Sequence, residues 1–479
     1  MEETHVLLYE RKETDMPKKT YTVSTRLQKN SPLVCYMEEY MTEYNKIYRY
    51  AWQVYTSKAY AFATDSKFRT HLCEKFGILG RTANSIIRDM KGTIEAYLEL
   101  KKTELQQLEQ KIERKEEEIK GLKVVINELK PKIANNTSTE KQLEKYRTAK
   151  QSLYFQQNKL NKWKQQRKKV TYQIENRKIS LGFGSKMFFR KQYFLQENGY
   201  GSHRGWYHVY VKERDKNVYY LGSNNEKQGN QMFQMTYVED TNDFRIQVRK
   251  DFGHEKEEKY VMDTVDFAYQ KEVLKQICMA YENKERPHAL SYRIHREKKK
   301  WYLQVQFTLE YTDYETRTTN GVFGLDYNDG LIEVSETDEN GNLIGQYHYD
   351  LRYHGTGKKA KTEIEQVVSQ IVNVGKRKGK SIVIEDLNFK NTKAKQTKGK
   401  TKKGKAYNRM LHKFDYSRYK RTLENCSHRK NVELIEVNPK NTSKIGKQKY
   451  SERMKLSVHQ AASYVIARKG QGYQDRLVS

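Results

Sequence analysis

Hydrophobic and polar positions change their period several times along this chain, and the changes divide it. Residues 1 to 17 are polar and read as a loose tail. Lys19 to Leu27 alternates and is rich in β-formers, which predicts one strand that must pair with strands from elsewhere. From 33 to 100 apolar residues recur at helical spacing, with Tyr36, Tyr40, Tyr44, Tyr48 and Trp52 in a single stripe. Such a stripe is expected to face a core rather than to stack on bases. Leu105, Leu108, Ile112, Ile119, Leu122, Ile126 and Leu129 then hold a-and-d spacing, interrupted by Lys115. Pro131 and Asn135-Asn-Thr-Ser-Thr mark a reversal, and Leu143, Tyr146, Leu153 and Leu160 return at compatible spacing. Residues 102 to 174 should therefore form a long antiparallel coiled-coil hairpin, with dimerisation through it as the alternative.

From 180 to 316 short alternating runs dominate, clearest at 244–249 and 301–309, with a strand and then a helix between 261 and 280. Phe183-Gly-Ser-Lys186 and the Leu-Gly-Ser at 221–223 are read as hairpin turns, because the glycine spacing of a phosphate loop is missing. The pattern predicts a small β-barrel completed by the strand at 19–27. Beyond about 318 the order becomes strand, strand, helix, strand, basic loop, helix, strand, helix, an α/β alternation of the ribonuclease-H-like kind. The loop at 390–405 is Lys- and Gly-rich and too polar to pack.

Two strands of that last region end on acids. Val322, Phe323 and Leu325 lead to Asp326, ahead of an Asn-Asp-Gly turn and a second apolar run at 331–334. Ser381 to Ile384 leads to Glu385 in the same way. Desolvating a carboxylate is costly unless a positive group lies between it and its neighbour. A pair of Mg²⁺ ions is the usual answer, since hard cations take oxygen ligands and can clamp a phosphodiester.

Composition agrees with a phosphate-rich partner. Lys and Arg total 91 against 60 acids, a formal charge of +31, which points to nucleic acid. The 37 tyrosines suit stacking on unpaired bases. Candidate nucleic-acid contacts are Arg81 and Arg88, with Ser85 and Lys91, on one helix. The basic run at the end of the hairpin adds Lys162, Trp163, Lys164, Arg167 and Lys168. Lys400, Lys402 and Lys403 lie in the Gly/Lys loop, and Tyr416, Arg418, Lys420 and Arg421 open the helix after it. The cysteines at 35, 73, 278 and 426 show no Cys-x-x-Cys spacing, so neither a disulfide framework nor a zinc ribbon is expected. With no membrane-length apolar run and no signal-peptide core, the expected place is the cytoplasm, on the nucleoid when DNA is bound.

The ordered set Gly324-Leu-Asp326-Tyr-Asn-Asp-Gly, Ile382-Val-Ile-Glu385-Asp-Leu, Tyr416-Ser-Arg-Tyr-Lys, Val437-Asn-Pro-Lys-Asn-Thr-Ser443, Ile445-Gly and Leu456-Ser-Val-His-Gln-Ala-Ala462 resembles the TnpB (OrfB) family of insertion-sequence proteins. It is more similar to the TnpB-related branch that also carries Phe-Gly-Ser-Lys and Leu-Gly-Ser turns. The family is distant kin of type V CRISPR effectors. The resemblance implies a multidomain α+β protein: a tail at 1–17, the first strand of a wedge barrel at 18–31, a helical recognition lobe at 32–179, the wedge β-barrel at 180–316 and a RuvC-like nuclease domain at 317–479. It implies a guide RNA, a target double-stranded DNA, no membrane partner, and a monomer or a coiled-coil-assisted dimer. Its chemistry would be Mg²⁺- or Mn²⁺-dependent phosphodiester hydrolysis, with Asp326 and Glu385 as metal ligands.

Two departures from the family pattern change the expectation. The stretch after Ser443 runs on without the four cysteines of a zinc ribbon, so no zinc is expected. The third family Asp aligns with Val458, which cannot bind metal, and His459 stands beside it. His459 is thus the third catalytic candidate, as a ligand better suited to Mn²⁺ or as a general base, against the alternative that it only caps or packs its helix. Two functions follow: an active RNA-guided DNA endonuclease of transposon origin, or a cleavage-deficient guided binder acting by occupancy.

Overall fold

The computed structural model describes residues 19–57, 62–179, 182–251, 259–283, 285, 288–309, 313–328, 330–353, 357–387 and 416–477. The tail at 1–17 and the basic loop at 390–405, with Lys400, Lys402 and Lys403, lie outside them. Contacts divide the chain into two compact units, one of Thr20–Leu309 and one of Glu310–Ser479 with Lys19.

In the first unit β1 (Lys19–Arg26) precedes α1 (Pro32–Tyr55), which starts at Pro32 with Ser31 as its cap. Tyr40, Tyr44, Tyr48 and Trp52 are all buried, so the aromatic stripe is core. After α2 (Asp65–Phe76) comes α3 (Gly80–Ala134), 55 residues long, which runs unbroken from the helical region into the first arm of the hairpin. It reverses into α4 (Glu140–Glu175), which opens with a Thr139/Gln142 capping box. Leu108, Ile112, Ile119 and Leu160 are buried in the seam, and Lys115 reaches out of it to Glu118 and lies over the Trp163 ring. The hairpin closes on itself.

Segment 182–214 differs from the expected hairpins. Ser185 caps α5 (Lys186–Arg190), a 3-10 turn follows, and Ser202 caps α6 (His203–Arg214). Each Gly-Ser turn was read by its glycine, whereas in the first the serine hydroxyl starts a helix. Then come β2 (Asn217–Tyr220), β3 (Phe233–Val238), β4 (Asp243–Arg249), β5 (Tyr260–Val265), α7 (Lys271–Glu282), β6 (Ser291–Glu297) and β7 (Lys300–Leu309). They form two open sheets, ordered β1-β7-β6-β2 and β3-β4-β5. β1 does join strands from far along the chain, but among the described residues no barrel closes. Just before β3, the buried Asn230 amide donates to the Leu290 carbonyl (2.9 Å) and its oxygen accepts from Met232 and Phe233 N–H. Phe233 of one sheet stacks on Tyr292 of the other, centroids 4.1 Å apart.

In the second unit β8 (Arg317–Asn328) turns tightly, through Gly330 at φ 91°, into β9 (Leu331–Thr337), and β10 (Leu343–Asp350) extends the antiparallel part. After α8 (Lys358–Arg377) come β11 (Lys380–Glu385), α9 (Tyr416–Arg429), β12 (Leu434–Val437), α10 (Thr442–Ile445) and α11 (Val458–Gly470). The sheet order is β10-β9-β8-β11-β12, with β11 parallel to both β8 and β12. Side chains alternate across it. Phe323, Leu325, Ile382 and Ile384 pack against α8 and α9, while Val322 and Val383 pack against Ile466 and Ala467 of α11. This two-faced burial explains the unbroken apolar runs, and it leaves Asp326 and Glu385 on the α11 face.

Candidate active site

Asp326 and Glu385 stand side by side because β8 and β11 are in parallel register. Leu325 is level with Ile384, and the acid follows next on each strand. Asp326 is buried, and Asn328 Nδ2 donates to its Oδ2 at 2.7 Å. Glu385 is partly buried, and Thr442 Oγ1 at the start of α10 donates to its Oε1. Burial lifts the Glu385 carboxyl above its usual range, the Thr442 hydrogen bond opposes this, and the Asp326 charge adds to the rise.

His459 is the second residue of α11, whose start is fixed by a Ser457/Gln460 capping box. Its Nδ1 lies 3.1 Å from Asp326 Oδ2 and 2.9 Å from Asn328 Nδ2. A protonated Nδ1 donates to the carboxylate, and a bare one accepts from the amide. The hydrogen bond with Asp326 raises the imidazole pKa, and partial burial opposes it. The capping is thus done by Ser457, which leaves His459 turned to the acid.

Sequence reasoning missed Glu333. It lies directly across from Asp326 in the β8–β9 hairpin, on the same face, and is 4% exposed. Its Oε1 pairs with His348 Nδ1 at 2.8 Å, and His348 Nε2 reaches Asp350 Oδ1 at 2.9 Å. The hydrogen bonds from Glu333 and then Asp350 raise the His348 pKa, as expected of an imidazolium held between two acids. Glu333 Oε2 is buried with no hydrogen-bond partner among the described residues, and its charge also raises His459. A row of ionisable groups therefore crosses the sheet: His348, Glu333, Asp326, Glu385. The signal available in the sequence was the alternation Ile332-Glu-Val334, which places an acid on the face opposite the apolar residues.

Two adjacent carboxylates, one raising the pKa of the other, suit a hard divalent cation. Among the described residues no group of three or more His, Cys, Asp or Glu side chains is placed to hold a metal ion. A cation held by Asp326 and Glu385 would draw further ligands from outside the protein, as Mg²⁺ commonly does.

The basic candidates scatter. In the first unit Arg88, Lys162 and Lys168 are exposed. Arg81 is ion-paired with Glu226, Lys91 with Asp65 and Lys164 with Glu116, while Arg167 is half-buried. Ser85 is buried, donating to the Arg81 carbonyl and accepting from Leu221 N–H. Trp163 packs against the hairpin seam. In the second unit Arg421 is exposed, Lys420 bonds Glu436 and Asp386, and Arg418 is half-buried. Tyr416 is buried and donates to the Glu385 carbonyl, so it braces the strand end that carries the acid. No helix among the described residues is long and apolar enough to cross a membrane.

No protein-family model and no curated protein matches this chain. Among solved structures, it is similar to T. thermophilus RuvC in complex with a Holliday junction substrate, at 13% identity over 30% of this chain and 89% of that one, TM-score 0.22. It is also similar to a CRISPR-Cas12f ternary complex, at 12% identity over 94% and 98% of the two chains, TM-score 0.22. A Cas12i1 R-loop complex before target DNA cleavage matches at 10% identity over 79% and 61%, TM-score 0.29. At TM-scores this low the likenesses carry no weight for function, which has to be argued from the site.

Proposed function

We propose that this chain is an RNA-guided DNA endonuclease of transposon origin, similar to the TnpB family, that hydrolyses phosphodiesters with Mg²⁺ or Mn²⁺. The observation that carries the reading is the pairing of Asp326 with Glu385 on adjacent parallel strands, with His459 Nδ1 3.1 Å from Asp326 Oδ2. The bound metal would supply charge neutralisation and activation of water. Asp326 and Glu385 would hold it, with Thr442 and Asn328 fixing their oxygens. His459 Nδ1 would hold or release a proton at Asp326. The charge of +31 supports a nucleic-acid partner. The domain names given by the resemblance, and the roles of Arg88, Lys162, Lys168 and Arg421 as phosphate contacts, belong to this proposal.

A second reading, guided binding without cleavage, draws support from Val458 at the position of the family's third acid. Sequencing the RNA that co-purifies with the chain, then offering matching plasmid with each metal, separates the two. Bound RNA with nicking supports the enzyme. Bound RNA with no nicking supports the binder, and absence of RNA removes both.

A further inference from the structure

Segment 186–214 carries an exposed aromatic surface that the metal centre does not use. Met187, Phe189, Tyr193, Phe194, Tyr207 and Val209 are 39–77% exposed, in a stretch of fewer than thirty residues. Three of the exposed rings are linked through one buried ring. Tyr193 meets Phe189 edge-on at 6.5 Å, Phe189 meets Trp206 at 6.2 Å, and Trp206 meets Tyr207 at 6.3 Å. Trp206 is 2% exposed and stacks on buried Tyr210 at 5.0 Å, so the exposed rings stand on a rigid base. Its indole N–H donates to the Phe188 carbonyl at 3.3 Å, which ties α6 to α5. Apolar side chains are not left in water in this number without a partner to cover them.

The neighbouring charges identify the partner. Lys186, Arg190, Arg204 and Lys212 are exposed on the same segment and form no ion pair among the described residues. A second copy of this surface would bring those cations against each other. A polyanion with flat apolar faces matches both features, because phosphates meet the cations and bases stack on the rings. We infer that α5, α6 and the turn between them form a stacking platform for unpaired nucleotides of a single-stranded nucleic acid. This rests on the nucleic-acid part of the proposed function and adds the place and the strandedness.

The test uses the full chain, freed of bound RNA by nuclease and heparin chromatography. The probes are a labelled single-stranded uridine-rich RNA and a fully paired duplex of the same length. The triple variant Tyr193→Ala, Phe194→Ala, Tyr207→Ala should weaken single-strand binding by a factor of about ten or more. Duplex binding should change by less than about twofold, because backbone contacts dominate there. The variant Tyr193→Phe, Tyr207→Phe, which keeps the rings, should bind like the wild type. Circular dichroism confirms that each variant is folded. Equal single-strand binding by the triple alanine variant would overturn the platform, as would a parallel loss on duplex. A wild-type dimer that the triple variant dissolves while RNA binding stays intact would overturn it in favour of a protein interface. Failure of the wild type to bind either probe would instead sink the nucleic-acid reading itself.

Discussion

Gly324 approaches Ser463 so closely that a Cβ at this position would lie 2.3 Å from the Ser463 carbonyl oxygen and 2.4 Å from the Ala467 nitrogen. Both are backbone atoms of α11, which cannot swing aside. The glycine two residues before Asp326 therefore sets how near the helix lies to β8, and with it the 3.1 Å between His459 and Asp326. Ala461 and Ala462 at the helix start are buried without bulk, consistent with the same close packing.

Gly324→Ala should consequently destabilise the chain by about 1–3 kcal/mol, the usual range for overpacking a tight contact. It should also weaken divalent-ion binding, because α11 must move and His459 moves with it. Urea unfolding and Mn²⁺ titration check the two effects. Unchanged stability would mean that the approach is looser than described.

Asp326→Ala and Glu385→Gln are expected to abolish metal-dependent nicking while RNA affinity stays within about twofold, since phosphate contacts carry that affinity. The loss should exceed the roughly 10–100-fold that removal of an outer-shell partner costs. Nicking assays with each metal, beside filter binding of RNA, make the comparison. Loss of RNA binding in a folded variant would show the acids to be structural.

Glu333→Gln keeps the volume and removes the charge across from Asp326. Mn²⁺ affinity should fall several-fold. The His348 midpoint, followed by NMR, should fall toward its ordinary 6.5 because one of two acid partners is gone. A lower His348 midpoint with unchanged Mn²⁺ affinity would confine Glu333 to bracing β10.

Much of this was legible along the chain because it depends on local period. The tyrosine stripe of α1 and the seam from Leu108 to Leu160 are helical repeats, and each fixes its own buried face. Asp326 and Glu385 were readable because an acid closing an apolar run breaks a pattern. For Glu333 the only signal was the alternation Ile332-Glu-Val334, and its neighbour in space, His348, comes from a strand that Gly345-Gln-Tyr does not announce by alternation. The barrel was not borne out, because strand propensity does not say which strands pair: β2 pairs with β6, and β3 only with β4, among the described residues. The platform at 186–214 was missed because Ser185, inside a turn taken for a hairpin, starts α5, and Ser202 starts α6 at a place that no pattern had marked. Trp163 and Tyr416 fit a nucleic-acid contact by composition, and it is packing that turns them inward.

The shifts at the centre also set a pH dependence for the metal-free chain. Glu385 has a folded pKa above its ordinary value, so the folded state holds its proton more tightly, and stability falls as pH rises through that raised value. His459 is raised as well; its favourable contribution is complete below its ordinary 6.5 and is lost as pH rises through the folded value. Both trends run the same way. A divalent ion offsets the carboxylate repulsion only where Glu385 is ionised. The gain in Tm on adding saturating Mn²⁺ should thus be larger near pH 8 than near pH 5, and chelation should reverse it. Glu385→Gln should flatten the difference, and a gain in that variant that still grows from pH 5 to pH 8 as in the wild type would place the ion elsewhere.

His459 decides between the enzyme and the occupancy reading. If cleavage is metal-dependent and His459 completes the site as ligand or base, His459→Ala should slow it by about a hundredfold or more. Val458 is the first residue of α11 and 38% exposed, so an acid is tolerated there and is favoured by the helix N-terminus. Val458→Asp should keep or raise the rate and move the preference from Mn²⁺ toward Mg²⁺, since carboxylate oxygen suits the harder ion better than imidazole. The double variant Val458→Asp, His459→Ala should then recover part of what His459→Ala loses. Full-rate cleavage by His459→Ala would remove the histidine from the mechanism. A wild type that cuts with neither metal, while binding its guide-matched DNA, would make the chain a binder, and Val458→Asp alone would be the variant in which cutting is gained.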